Sequence, residues 1–206
     1  MNEYPNLKKR MISNFFNDLI EKNGITDFNQ WFFYSGMLFG SDDKWWGKGG
    51  TRPDPHEGLD ICYYKNKAGE LCSFDEKTRI PVMYDGVVYE ISDDDYLGSS
   101  VFVRHDVRDK NDYYLHSVYA HACPAQGLQA GTVLRQGDIV ASVADIRDRN
   151  LSIPGHLHVS MIYFGDDYPR DMLKWQILAV TYQARLVDPF GYLECDYTVQ
   201  PYPCAT

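Results

Sequence analysis

The run His156-Leu157-His158-Val159-Ser160-Met161-Ile162-Tyr163-Phe164 is the feature that most limits what this chain can become. Its β-branched and aromatic residues favour extended backbone, and a strand sends alternate side chains to the same face. His156 and His158 therefore stand side by side, with Leu157 and Val159 directed the other way. Far upstream, His56-Glu57-Gly58-Leu59-Asp60 supplies another imidazole and a carboxylate. Four residues of straight strand would hold His56 and Asp60 roughly 13 Å apart, so the chain has to bend between them. Gly58 at the midpoint tolerates backbone conformations that other residues resist, and Pro53 and Pro55 fit an irregular entry.

Two histidines and one carboxylate suit Zn²⁺, and three protein ligands leave a fourth position open, as catalytic rather than structural zinc requires. The pattern points to a zinc hydrolase. A third stretch, Tyr113 to His121, is another expected strand that gives way to a turn at Cys123-Pro124. Alternation places His121 with Tyr119 and Ser117, and His116 on the opposite face. One of the two histidines can face a common site.

In chain order, His56-x-Gly58-x-Asp60, Tyr119-Ala120-His121 and His156-Leu157-His158 resemble the signature of the lysostaphin-type, LytM-like zinc endopeptidases. Arg79 to Val88 looks like that family's hairpin, and Val101 to His105 like the strand after it. Gly131 to Val140 is similar to its glycine-punctuated turn and strand, and Val187-Asp188-Pro189 to its closing tripeptide. The resemblance selects His121 over His116. It implies zinc held by His56, Asp60 and His158, with His121 and His156 as the catalytic histidines.

The resemblance further implies a mainly β fold, an antiparallel sheet or sandwich of the lysostaphin (duplicated hybrid motif) type with a substrate groove, to which this chain is expected to add helices at its N-terminal and C-terminal ends. The implied function is that of a zinc metalloendopeptidase hydrolysing peptidoglycan cross-links or glycine-rich peptides, at the cell envelope or secreted, under a regulatory partner or none. The alternative is a catalytically silent peptidoglycan-binding or hydrolase-activator domain that retains zinc; relatives of that kind typically lose zinc ligands, whereas this chain keeps the set. Three departures stand out. The region Gly49 to Pro55 lacks the tyrosine that many members carry before the first zinc histidine, so that either Arg52, Tyr119 or the histidines alone stabilise an oxyanion or the turnover is lower. The usual glycine-rich run is replaced by Asp148 to Gly155, and Tyr168 to Ala184 is an added segment.

His105 and His116 read as structural. Asp93-Asp94-Asp95 and Asp166-Asp167 lack the spaced ligands of a calcium loop and read as solvated turns. With 206 residues, 44% of them apolar, the chain can bury a core without a metal or disulfide staple. A net charge of −9 argues against nucleic acid or an anionic membrane as partner. The five cysteines show no Cys-x-x-Cys spacing, which excludes a zinc ribbon and leaves both a Cys62–Cys72 pair and free thiols open. No stretch has the length of a membrane-spanning helix, and the N-terminus lacks the apolar core of a signal peptide, so a cytoplasmic location stays open beside the envelope.

In Asn6 to Lys22, the residues Leu7, Met11, Ile12, Phe15, Phe16, Leu19 and Ile20 recur at helical spacing before the stop signal Asn23-Gly24. That helix is expected to pack on the domain, with docking across the groove as the second reading. Trp31-Phe32-Phe33 and Trp45-Trp46 are expected to cap one end of the groove, and Tyr168 to Ala184 to form a second helix after Pro169. The expected division is an N-terminal helical extension, 1–48, packed on a single metallopeptidase domain, 49–206.

Overall fold

The computed structural model describes residues 12–94, 97–149, 151–173 and 184–203. Helix α1 (Phe15–Lys22) buries Phe15, Phe16 and Leu19. The earlier part of the expected helix, before residue 12, lies outside the described residues. The helix stops where the side-chain amide of Asn23 donates to the carbonyls of Leu19, at 2.8 Å, and Arg79, at 2.9 Å. The Asn23 side chain also accepts from Arg79 N at 2.8 Å, so one residue both ends the helix and ties it to the sheet.

The strands are β1 (Phe28–Tyr34), β2 (Leu59–Ile61), β3 (Tyr63–Asn66), β4 (Leu71–Ser73), β5 (Arg79–Pro81), β6 (Gly86–Asp94) and β7 (Gly98–Arg108), followed by β8 (Tyr114–Pro124), β9 (Val133–Leu134), β10 (Ile139–Val143), β11 (Leu157–Phe164), β12 (Ala184–Val187) and β13 (Tyr197–Gln200). The large sheet runs β12-β11-β8-β7-β6-β9, with β2 added to β11, β10 to β8, and β5 to β10. A second sheet runs β13-β1-β3-β4. The fold is mainly β and antiparallel; among the described strands β1 and β13 pair in parallel, Trp31 opposite Tyr197.

Alternation along β11 divides the core. Leu157, Val159, Met161 and Tyr163 enter the main cluster, which also contains Phe15 of α1, Trp31 and Phe33 of β1, and Tyr119 of β8. Ile162 and Phe164 enter a smaller cluster on the opposite face with Phe102, Val118 and Tyr168. All eight residues of β11 are buried, as expected of a strand covered on both faces. At its histidine end the strand is flanked by β2 and β8, with Asp60 and Ala120 opposite His158.

Several expectations change. Arg79 to Val88 is not a hairpin: β5 pairs with β10, Ile80 opposite Ala141, while β6 pairs with β7 and β9. Cys72 lies opposite Tyr64 rather than Cys62, and both are free thiols; Cys204 lies outside the described residues. Trp31-Phe32-Phe33 is part of β1, and Trp31 and Phe33 fill the core instead of capping a groove. In the segment expected to form a second helix, the described residues contain a 3-10 turn, Arg170–Met172, and 174–183 lie outside them. No described helix is long and apolar enough to cross a membrane.

Candidate metal centre

His56 is fixed by its backbone before its side chain is considered. Its N–H donates to Ser41 O at 2.9 Å, and its carbonyl accepts from Gly40 N at 2.7 Å. The ring Nδ1 lies 3.1 Å from Leu38 O. A carbonyl can only accept, so Nδ1 carries the hydrogen and Nε2 presents its lone pair. That Nε2 points at Asp60 Oδ1 and His158 Nδ1, 3.2 Å from each.

Asp60 on β2 pairs directly with His158 on β11, which brings Asp60 Oδ1 to 2.8 Å from His158 Nδ1. The other ring nitrogen, His158 Nε2, lies 2.9 Å from Ser160 Oγ, which can accept its hydrogen and leave Nδ1 as a ligand atom. The three facing atoms thus form a triangle with edges of 3.2, 3.2 and 2.8 Å. Tetrahedral zinc with bonds of about 2.0–2.1 Å sets its ligand atoms about 3.3 Å apart. The donor set fits that ion in both chemistry and size. Among the described residues, His56, Asp60 and His158 form the group able to hold a metal, and all three are buried.

The second oxygen of Asp60 is engaged elsewhere. Trp45 Nε1 donates to Asp60 Oδ2 at 2.5 Å, and Arg52 Nη2 lies 3.4 Å from the same oxygen. Burial alone would raise the Asp60 carboxyl pKa, but His56 and His156 beside it hold it well below the usual carboxylate range. For His158, burial opposes the charged form, yet the bond to Asp60 raises its pKa above the ordinary value. The carboxylate stays charged among imidazoles, a balance that a divalent cation would complete.

Gly58 serves this geometry by its size. A Cβ there would lie 2.4 Å from Val159 O and 2.7 Å from His158 Nε2. Its φ is not among the positive ones, so the requirement is space for the His158 ring rather than the conformational freedom expected from the sequence.

His156 precedes β11, with Nδ1 2.9 Å from Pro154 O, so its Nε2 is the nitrogen turned toward Asp60, 3.5 Å from Oδ1. His121 reaches the same place by a different route than strict alternation. Along β7 and β8, Val101 pairs with Tyr119 and Ser99 with Ala122, so β8 carries one residue more than its partner. This bulge has His121 at φ 59°. Tyr119 and Ala122 both face the main core, whereas His121 turns to the metal-site face, its ring centre 4.8 Å from that of His156 and 5.5 Å from that of His158. The expected grouping of His121 with Tyr119 and Ser117 is thereby corrected: a bulge re-aims the side chain. Tyr119 is fully buried on the far face, its hydroxyl accepting from Met83 N at 2.8 Å and lying 3.1 Å from Ser117 Oγ, so it is no candidate for an oxyanion. Arg52 remains in the cleft wall.

The cleft over these groups has a volume of about 250 Å³ and apolar walls of Trp46, Leu97, Leu151 and Ile153. His105 and His116 lie outside it, buried and bonded to Asp85 O and Tyr114 O. Sequence reasoning overlooked Trp45 and Ser160 as groups that hold Asp60 and His158 in place; neither stands at a diagnostic spacing.

No protein-family model matches this chain, and no curated protein does. Among solved structures it is similar in part to LytU, with 22% identity over 61% of this chain and 76% of that one, at a TM-score of 0.42. It is also similar to cbpa from L. salivarius REN, with 18% identity over 77% and 84% of the two chains, at a TM-score of 0.45. For the solution structure of lysostaphin the values are 17% identity, 64% of this chain, 50% of that chain, and a TM-score of 0.39. The candidate site rests on its own geometry and on the ordered motifs.

Proposed function

We propose that this chain is a zinc-dependent endopeptidase acting on peptide cross-links of bacterial peptidoglycan or on glycine-rich peptides. The observation that carries the proposal is the triangle of His56 Nε2, Asp60 Oδ1 and His158 Nδ1, with two further imidazoles on its open side. His56, Asp60 and His158 would hold the ion. Zinc, when bound, supplies Lewis acidity that polarises a peptide carbonyl and acidifies water.

The chain's own groups then divide the proton work. Because the hydrogen of neutral His156 is on Nδ1 beside Pro154 O, its Nε2 can accept a proton inside the cleft. His121, edge-on to His156, is the second imidazole, suited to stabilise a developing oxyanion or to protonate the leaving amine. Trp46, Leu97, Leu151 and Ile153 give these groups a partly apolar surround. Peptidoglycan as substrate rests on the motif resemblance.

The experiment is digestion of purified peptidoglycan by zinc-loaded protein, with a chelated control and mass spectrometry of the released fragments. New peptide termini that vanish with the chelator support the proposal and name the bond. Intact muropeptides from a protein with zinc bound would reject the wall substrate, and an intact glycine-rich peptide beside them would reject the proposal in favour of a silent binding domain.

A further inference from the structure

Asp60 presents its two oxygens to different surroundings. Oδ1 faces three imidazoles at 2.8 to 3.5 Å, while Oδ2 faces the indole N–H of Trp45 at 2.5 Å and Arg52 at 3.4 Å. Trp45 and Asp60 are 1% and 2% exposed, so this bond is shielded from water. Trp45 also places its ring at 88° to His156, with centres 5.0 Å apart. One side chain therefore touches both a candidate ligand and a candidate proton acceptor.

The segment carrying Trp45 is built to hold it there. Asp43 bridges to Thr51, Lys44 N donates to Gly50 O at 2.7 Å, and Arg52 N donates to Asp42 O at 2.7 Å, which closes the loop on itself. The Arg52 side chain ties this loop to its surroundings, donating to Asp43 O at 3.0 Å and Gly36 O at 2.9 Å while lying over the Trp46 ring at 4.7 Å. Gly36 packs so closely that a Cβ would come within 2.7 Å of Asp43 O and 3.0 Å of Trp45 N.

We infer that Trp45, supported by Arg52, is a positioning residue that occupies Asp60 Oδ2 and so presents Asp60 to a metal through Oδ1 alone. The inference rests on the metal-binding reading under Proposed function. A carboxylate free at both oxygens can bind one ion in two ways or rotate away from it. The indole N–H removes that freedom, as hydrogen bonds behind a ligand commonly do.

The test is Trp45→Phe, which removes the donor and keeps an aromatic ring against His156. Affinity for zinc is read by competition with a chromophoric chelator, and coordination by the visible absorption of the cobalt(II) form. The expected result is a loss of about 10–100-fold in affinity with an altered cobalt spectrum, and a much smaller loss when the same change is made in Asp60→Asn. An unchanged affinity, or an equal loss in both backgrounds, overturns the inference. Failure of the parent protein to bind either metal overturns the metal-binding reading and this inference with it. Should Trp45→Phe not fold, the indole N–H resonance of Trp45 in the parent is followed during zinc titration. A shift with slowed hydrogen exchange is expected, and a resonance that zinc does not move overturns the inference.

Discussion

The imidazoles of His121 and His156 meet edge-on, ring centres 4.8 Å apart, because β8 spends one extra residue at the point where His121 turns toward the cleft. Ala120 pairs with His158 across β8 and β11, so simple alternation would send His121 to the opposite face. Its φ of 59° lies in the left-handed region, which costs an ordinary L-residue about 1–2 kcal/mol and costs glycine nothing comparable. His121→Gly is therefore expected to relieve the backbone and His121→Val to aggravate it, the two separated by at least ~1 kcal/mol in urea denaturation, with activity lost in both. Equal stability of the two variants would count against the bulge.

Binding and turnover should separate cleanly between two histidines. His158→Ala removes a corner of the donor triangle and should abolish stoichiometric zinc binding in equilibrium dialysis. His121→Ala leaves the triangle intact and should retain zinc while lowering kcat by about 10²–10⁴-fold. Full activity in either variant would refute the assignment of roles.

The residues that meet at the site could be read from the chain because the chemistry restricts them to few residue types at short spacings. His56 and Asp60 had to converge, and Gly58 between them was the visible means, although its service is room for the His158 ring. The bulge was not legible. Nothing in Tyr119-Ala120-His121 marks a left-handed residue, since the extra residue is defined against β7. Pairing between distant strands was equally hidden: β5 finds β10 across the sheet, and β1 is completed by β13 from the other end of the chain. For Trp45, the sequence shows an aromatic pair in a loop, but its indole partner is decided by where Asp60 comes to lie.

Gly58→Ala should damage the site without replacing any candidate ligand. The new methyl would meet Val159 O at 2.4 Å and the His158 ring at 2.7 Å, and backbone carbonyl and buried ring both lack room to retreat. Overpacking of this kind costs about 1–3 kcal/mol. Part of it should appear as weaker zinc binding, because the ring that must move belongs to a proposed ligand. Thermal denaturation with and without zinc reads both parts: the variant should show a lower Tm and a smaller zinc-induced rise than the parent. An unchanged zinc increment would mean that the backbone alone absorbs the clash.

Acid should destabilise the fold through two histidines remote from the cleft. Burial lowers the pKa of His105 from 6.5 to about 4, and burial likewise lowers that of His116 to about 3. His116 is stacked on Phe164 at 3.7 Å and faces the edge of Tyr89, surroundings that favour the neutral ring. The unfolded chain takes up protons near pH 6.5, where the folded chain does not, so stability is fully kept above that pH and lost as pH falls toward the folded values. Between pH 7 and pH 5 each histidine should remove about 2 kcal/mol. His116→Phe keeps an aromatic ring on Phe164 and removes the titration, so its stability should fall about 2 kcal/mol less than the parent's over that interval, measured by urea midpoints. A parallel loss in parent and variant would show that His116 is protonated as readily in the folded chain as in the unfolded one.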